Sequence, residues 1–269
     1  MTDQPFALPP LPRLLSTRVF GQTIRYYDVG SGPPLVLLHG IGGDADDWAF
    51  CLSALAASHR VIALDMLGFG RSDKPYVDYS IAVFVEVLER FLLSLDIGSA
   101  SVVGHSLGGW IAASFVLRSP EAIDRLVLMD SAGVWGEMQE LPVDLHVSTL
   151  AHMREIFQHL FYDKKMATDA IVEFAYTNHL ARGDGYTIHS VLENLRGGRE
   201  RLDERIGKLS VPTLIIWGEN DEVIPVAIGR RIQGLVPGSS LEVISQCGHL
   251  PELEKPGEFV PCLLQFLTR

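Results

Sequence analysis

Short apolar runs rich in leucine or β-branched residues recur along the chain, and each is followed by a glycine-containing turn and a helix-like pattern. This alternation is typical of a largely parallel β-sheet that is covered by helices on both faces. The sequence therefore predicts an α/β fold. Six runs are predicted as its central strands: Pro34–His39, Val61–Asp65, Ala100–Gly104, Arg125–Asp130, Thr213–Gly218 and Ser240–Ile244.

An N-terminal hairpin is predicted from Arg18–Phe20 and Thr23–Asp28, which are separated by Gly21-Gln22. The hairpin adds an antiparallel edge and brings the predicted sheet to eight strands, which is the sum of six central strands and two hairpin strands. Helices are predicted between the strands, at Asp46–Ser58, Ser80–Leu95, Leu107–Ser119, Val226–Leu235 and Glu258–Leu267.

The alternation stops between residues 134 and 208, where amphipathic helical patterns follow one another without a strand-like run. Ile188, Val191, Leu192 and Leu195 have the i, i+3, i+4, i+7 spacing of one apolar helix face. Such a face must be buried against another surface. We therefore predict an α/β core formed by residues 1–133 and 209–269, with residues 134–208 inserted as a helical cap.

Composition limits the function classes. The formal net charge of −11 argues against nucleic acid and acidic membranes as partners, because both require clustered cationic side chains. The three cysteines are too few for a disulfide framework, which favours a reducing cytoplasm. The start of the chain, Met1-Thr2-Asp3, has an acid where a signal peptide carries positive charge. We expect a cytoplasmic monomer or homodimer that acts on a small molecule.

The strongest chemical motif is Gly104-His105-Ser106-Leu107-Gly108, between a predicted strand and a predicted helix. This is G-x-S-x-G in the context of a nucleophile elbow. The strained turn needs small residues on both sides of the serine, and it exposes the serine Oγ beside a helix N-terminus. The alternative is an ordinary turn with a serine that caps a helix.

A serine hydroxyl needs a histidine base and an acid that orients the histidine. Asp221 lies in the loop that follows the predicted strand Thr213–Gly218, and His249 follows Gly248 in the loop after the last predicted strand. The chain order Ser, Asp, His is the order used by hydrolases with this elbow. Ser106, Asp221 and His249 are therefore the candidate catalytic residues.

The chain resembles the serine-nucleophile branch of the α/β-hydrolase superfamily from about Ile24 to the C-terminus, most weakly through the predicted cap. The resemblance is carried by the elbow, by the Asp221 and His249 loops, by His39-Gly40-Ile41-Gly42-Gly43, and by Asp65-Met66-Leu67-Gly68-Phe69-Gly70-Arg71-Ser72. It implies an oxyanion hole formed by the backbone N–H groups of Ile41 and Leu107. No metal or other cofactor is expected.

Three other interpretations of this sequence concern a different triad acid, a dinucleotide site and a metal site. Asp130, at the end of its own predicted strand, is an alternative acid for the triad. Residues 40–45 match the dinucleotide-binding pattern G-x-G-x-x-A, but the aspartates that follow would repel a pyrophosphate. His146, His152 and His159 lack the spacing of a metal site.

The elbow serine argues against the haloalkane dehalogenase and epoxide hydrolase branches, which resemble this chain but have an aspartate there. The predicted cap is similar to that of the meta-cleavage carbon–carbon bond hydrolases. That family, however, usually has Asn-Ser-Met in the elbow, a cap arginine at the position of Ala175, and tryptophan in place of Leu250. We therefore expect a carboxylesterase for small or medium acyl chains. The alternatives are a carbon–carbon bond hydrolase and, below it, a non-enzymatic ligand receptor.

The substrate pocket is expected around the elbow, beneath the apolar residues of the predicted cap. Burial of these residues as plain cap core is an equally good interpretation of the same pattern. The predicted pocket residues are His39, His105, Trp110, Phe157, Phe161 and Leu250.

Overall fold

A computed structural model describes residues 8–136 and 143–268. An eight-stranded sheet runs through the molecule, with the strand order β1-β2-β4-β3-β5-β6-β7-β8. The strands are β1 (Leu15–Val19), β2 (Gln22–Val29), β3 (Pro34–Leu38), β4 (Arg60–Asp65), β5 (Ala100–His105), β6 (Ile123–Met129), β7 (Thr213–Gly218) and β8 (Ser240–Ile244).

Seven of the eight strands in this sheet run in the same direction, and β2 runs in the opposite direction. β2 pairs antiparallel with β1 and with β4, whereas every neighbouring pair from β4 to β8 is parallel. The predicted α/β class, with an N-terminal hairpin at one edge of a mostly parallel sheet, is confirmed. Because parallel strands end at the same edge, the loops after β5, β6, β7 and β8 lie together there.

Helices cover both faces of this sheet, and two groups of buried apolar residues lie on opposite sides of it. The helices of the core are α1 (Ala49–Leu55), α2 (Ile81–Ser94), α3 (Leu107–Arg118), α7 (Val226–Leu235), α8 (Pro251–Glu254) and α9 (Pro256–Leu267). Every residue of β5 is buried, including Ser101 and His105, as expected for a central strand that is covered on both faces.

The helix predicted over Asp46–Ser58 is divided into two elements. A 3-10 turn at Ala45–Trp48 precedes α1, and the carboxylate of Asp44 caps the turn by accepting a hydrogen bond from the N–H of Asp46 at 2.7 Å. The backbone N–H of Asp44 in turn donates to the Asp47 carboxylate at 3.1 Å. These acidic residues therefore serve as helix caps, as their position in the sequence indicates.

Three helices and two 3-10 turns lie between β6 and β7: α4 (Leu150–Leu160), Lys164–Met166, α5 (Asp169–Arg182), α6 (Gly185–Arg196) and Ile206–Lys208. We call the described residues of this segment, 131–136 and 143–212, the helical insertion; they contain no strand. Residues 137–142 of the predicted cap and residues 1–7 of the predicted core lie outside the described residues. None of the described helices is long and apolar enough to cross a bilayer.

Candidate active site

Ser106 lies in a strained turn between β5 and α3. Its backbone has φ 51° and ψ −115°, a conformation that costs free energy for any residue with a side chain. The turn is held in place because the N–H of Ser106 donates to the carbonyl of Met129 at 2.9 Å, and its carbonyl accepts from the N–H of Ala132 at 3.0 Å. The end of β6 therefore fixes the elbow.

The glycines on both sides of Ser106 are required by close backbone contacts. A Cβ on Gly104 would overlap the carbonyl group of Gly108, and a Cβ on Gly108 would overlap the carbonyl oxygens of Leu38 and His39. A side chain at Gly104 would push α3 away from β5, and a side chain at Gly108 would push α3 away from the end of β3. The structure thus gives a steric reason for the G-x-S-x-G pattern.

Asp221 and His249 form a buried hydrogen-bonded pair. Nδ1 of His249 lies 2.7 Å from Oδ2 of Asp221, and Oδ1 of Asp221 accepts from the N–H groups of Val223 at 2.7 Å and Ile224 at 2.9 Å. Because a carboxylate accepts and does not donate, this contact places a proton on Nδ1. The other ring nitrogen, Nε2, is left to act as a base.

The alternative acid, Asp130, lies beside this pair. Oδ1 of Asp130 accepts from the N–H of Gly218 at 2.9 Å, and one carboxyl oxygen each of Asp130 and Asp221 and one ring nitrogen of His249 all lie within 4.8 Å of one another. Complete burial and the neighbouring Asp221 raise the pKa of Asp130 well above its usual range. The Nδ1 contact of His249 is made with Asp221, so the geometry favours Asp221 as the orienting acid.

A cavity of about 310 Å³ lies between the elbow and the helical insertion, and both Ser106 and His249 line it. Its walls are mainly apolar. The backbone at Gly40 passes close enough to the elbow that a Cβ built there lies 3.3 Å from Cβ of Ser106. Ile41 and Leu107 also line the cavity. Leu107 is the first residue of α3, so its N–H has no acceptor within the helix.

Four of the six predicted pocket residues line this cavity: His105, Phe157, Phe161 and Leu250. His39 does not, because it is completely buried below the elbow, where its Nε2 accepts from the N–H of Met66 at 3.0 Å. Trp110 does not line the cavity either. Its side chain is buried, and its indole N–H donates to the carbonyl of Glu200 at 3.1 Å. Both belong to the packing around the site.

One end of the cavity is polar, and sequence reasoning missed it. Arg182, the last residue of α5, lines the cavity and pairs with the carboxylate of Asp44. The same guanidinium lies 3.6 Å from a carboxylate oxygen of Asp46. Asp184 is buried nearby and lies 3.0 Å from His179. Arg182 follows Ala175, the position of the related family's cap arginine, by two helical turns. The two residues therefore share a helix face, and this spacing could have identified Arg182 from the sequence.

The loop that carries His249 is bonded to the helical insertion. The N–H of His249 donates to the carbonyl of Leu160, at the end of α4, at 2.7 Å. The carboxylate of Glu254 joins the two segments from below, because it accepts from the N–H groups of Gly248 and Tyr162, both at 2.8 Å. The position of His249 therefore depends on the position of α4.

Comparison with known proteins gives consistent results. The family model described as alpha/beta hydrolase fold matches residues 33–185 and 197–256. The 2-hydroxy-6-oxo-6-(2'-aminophenyl)hexa-2,4-dienoic acid hydrolase of Metapseudomonas resinovorans is 32% identical, over 93% of this chain and 89% of its own length.

Two solved structures are similar to the whole of the described fold. A meta-cleavage product hydrolase from Pseudomonas fluorescens IP01, complexed with acetates, has a TM-score of 0.85 and 30% identity, covering 94% of this chain and 97% of its own. A membrane phospholipase A, described as a bacterial virulence factor, has a TM-score of 0.85 and 29% identity, covering 95% of this chain and 86% of its own.

Proposed function

The chain belongs to the α/β-hydrolase fold family, and from this premise we propose that it is a serine hydrolase that cleaves carboxylic esters of small or medium acyl chain. The observation that carries the proposal is that Ser106 and His249 line one apolar cavity while Asp221 holds the far side of the imidazole. This is the set of groups that nucleophilic acyl transfer needs.

In the proposed reaction, Oγ of Ser106 attacks the ester carbonyl carbon, and Nε2 of His249 takes the hydroxyl proton. The tetrahedral oxyanion is bound by the backbone N–H groups of Ile41 and Leu107. When the ester C–O bond breaks, His249 gives the proton to the leaving alcohol. Water then attacks the acyl-enzyme by the same steps, which releases the acid and returns the proton to Ser106.

The charges at the polar end of the cavity favour a neutral substrate. Arg182 is the cationic side chain that reaches the cavity wall among the described residues, and it already pairs with Asp44. Asp46, Asp47 and Asp184 lie in the same wall. A substrate carboxylate would have to displace an existing ion pair in this acidic surrounding, which costs free energy.

A carbon–carbon bond hydrolase is the second candidate, and the named relatives favour it over an ester hydrolase. In that case Arg182, two turns along the helix from Ala175, is the group available to a substrate carboxylate. His105 and Leu250 would stand where that family usually has asparagine and tryptophan. Sequence similarity therefore supports this candidate, and the charge of the cavity supports the ester.

We further propose that residues 134–208 act as a cap that closes the cavity. Apolar residues of α4 and α6 form much of its wall, including Met153, Ile156, Ile188 and Leu192. This segment would then supply most of the side chains that contact a bound substrate. The core would supply the reacting groups, Ser106 and His249.

A series of p-nitrophenyl esters of increasing acyl length, tested beside a meta-cleavage dienoate, separates the two candidates. We expect ester hydrolysis with an optimum at a short or medium chain, and its loss in Ser106→Ala. A dienoate kcat/KM far above that of every ester would replace the ester by the second candidate. Undiminished hydrolysis by Ser106→Ala would overturn both.

A further inference from the structure

Glu252, in the short helix α8, carries a carboxyl group that has no evident structural partner. The side chain is completely buried, and neither carboxyl oxygen hydrogen-bonds to another described residue. Its backbone carbonyl lies 3.5 Å from Sγ of Cys51, which fixes α8 against α1. Buried carboxyl groups are normally paired, because an unpaired charge in an apolar interior is costly. The group therefore needs an explanation.

The carboxyl group of Glu252 faces His105, the residue before the elbow serine. Oε1 of Glu252 lies 3.9 Å from Nδ1 of His105. The opposite nitrogen, Nε2 of His105, lies 2.8 Å from the backbone carbonyl oxygen of His249. A carbonyl oxygen only accepts, so Nε2 carries the proton and Nδ1 of a neutral His105 presents a lone pair to Glu252.

The surroundings of Glu252 offer no cation that would compensate a negative charge. Its one ion-pair neighbour among the described residues is His105. Six titratable groups of the described residues face it. They are Asp47 in the 3-10 turn before α1, Cys51 in α1, His105 at the end of β5, Asp130 after β6, Cys247 in the loop before α8, and Glu254 in α8. Apart from His105, these groups are acids or thiols.

We infer that Glu252 is a positioning residue that keeps a proton next to Nδ1 of His105 and, through His105, holds the backbone of His249 in place. The inference rests on the proposed function, in which His249 is the base. Glu252 touches neither substrate nor Ser106. It acts through two contacts in series, the first between Glu252 and His105 and the second between His105 and His249.

The protonation states of the two side chains agree with this arrangement. Burial raises the pKa of Glu252 to about 8, and burial together with the neighbouring His249 lowers the pKa of His105 well below its usual range. Near neutral pH both groups are thus uncharged, with the proton on Glu252. Above about pH 8, a buried carboxylate faces the lone pair of His105, and the contact that orders the His249 loop is disturbed.

The test is the pH dependence of Ser106 labelling by a fluorophosphonate, which reports the activated nucleophile whatever the true substrate is. We expect the wild-type labelling rate to fall above about pH 8. In Glu252→Gln, which has nearly the same shape but does not ionise, this fall should disappear. At pH 9.5, relative to pH 7.5, we expect the wild-type rate to drop about tenfold or more. The variant should stay within about twofold.

Two further variants complete the design. Glu258→Gln makes the same change at an exposed position of α9 and should keep the wild-type profile. His105→Asn removes the imidazole and with it the link between Glu252 and the His249 carbonyl, so this variant should also lose the alkaline fall. If Glu252→Gln does not fold, the pH profile of the His105 variant still tests the inference.

An alkaline fall that is unchanged in Glu252→Gln would overturn the inference. A fall that vanishes in Glu252→Gln but persists in His105→Asn would overturn the connection through His105. If Ser106 is not labelled at any pH, the proposed nucleophile fails and the inference fails with it. If labelling behaves as expected but no ester is hydrolysed, only the proposed substrate is wrong.

Discussion

Two helices on opposite sides of the cavity are built in different ways. The helix α3, which begins at the elbow, buries nine of its residues, including the consecutive glycines Gly108 and Gly109. The helix α5 of the helical insertion buries only Val172. Ser106, the proposed nucleophile, is thus fixed by close packing that leaves little freedom, whereas the opposite wall of the cavity depends on a few side chains.

Polar and aromatic contacts join the helical insertion to the core, beside the apolar packing of residues such as Ile188 and Val191. The hydroxyl of Ser190 accepts from the N–H of Tyr79 at 2.9 Å, and the amide of Asn194 donates to Asp78 at 2.6 Å. Tyr186 stacks on Tyr76, with ring centroids 4.4 Å apart. Because such contacts are individually weak, changes in the insertion should alter substrate binding more than they alter folding.

The largest effect is expected at the sheet edge, where two buried acids lie side by side. Asp221→Asn should lower kcat/KM by about 10⁴, because the amide cannot hold His249 in the productive tautomer. Asp130→Asn should cost less than about tenfold, since a neutral amide oxygen still accepts from Gly218. Steady-state kinetics of both variants on one ester measure this. The reverse order of effects would make Asp130 the acid.

The pH dependence of stability should report on Glu252, another buried acid of the core. The pKa of Glu252 is raised from 4.5 to about 8, so the folded state keeps a proton that the unfolded chain loses. The free energy of unfolding should therefore fall as pH rises from about 4.5 to about 8, by up to about 5 kcal/mol from this group. Urea unfolding of wild type and Glu252→Gln across this range isolates the contribution. Parallel curves for the two proteins would contradict it.

A pair of glycine substitutions compares the two regions directly. Gly104→Ala should destabilise by about 3 kcal/mol, because the new Cβ meets the backbone of Gly108 and Gly109. Gly183→Ala, after α5, should cost about 1 kcal/mol, since its φ of 66° is unfavourable but no atom lies within 4 Å of the added Cβ. Urea midpoints report both. Equal losses would remove the contrast between the packed core and the loosely packed insertion.

The smallest effect is expected at the polar end of the cavity. Arg182→Met removes the ion pair with Asp44 and should raise KM about threefold while kcat changes less than about twofold. Arg196→Met is the matched control, because Arg196 is an exposed arginine of the same insertion that pairs only with Glu193 among the described residues. A large loss of kcat in Arg182→Met would give this residue a part in the chemistry.

Much of the core was predictable because its signals are local. The central strands begin and end within about two residues of their predicted limits, since a strand buried on both faces reads as an unbroken apolar run. The elbow was predictable for a related reason: its glycine pattern is a short local motif, although Gly104 is required by a contact within the motif and Gly108 by contacts with Leu38 and His39. His39 and Trp110 were placed in the pocket because they lie near the motifs in sequence, but packing turns both side chains away from the cavity.

What the sequence did not predict depends on contacts between distant segments. Nothing in Pro251-Glu252-Leu253-Glu254 indicates which glutamate is buried. The structure shows that Glu252 points at His105 and that Glu254 caps the loop before His249. Likewise, the position of the family's cap arginine is occupied by Ala175, and the sequence does not show that Arg182 lines the cavity. The place of Arg182 in the cavity wall follows from the orientation of α5, which its weak apolar pattern does not specify.

The hydrogen bond from His249 to the carbonyl of Leu160 has a consequence for protein engineering. A lid that merely covers an entrance can be shortened or exchanged without harm to the machinery beneath it. Here the last turn of α4 helps to position His249, the proposed general base. A chimera whose helical insertion comes from another hydrolase must therefore preserve this hydrogen bond. Otherwise the exchange that widens the entrance will also displace the imidazole of His249.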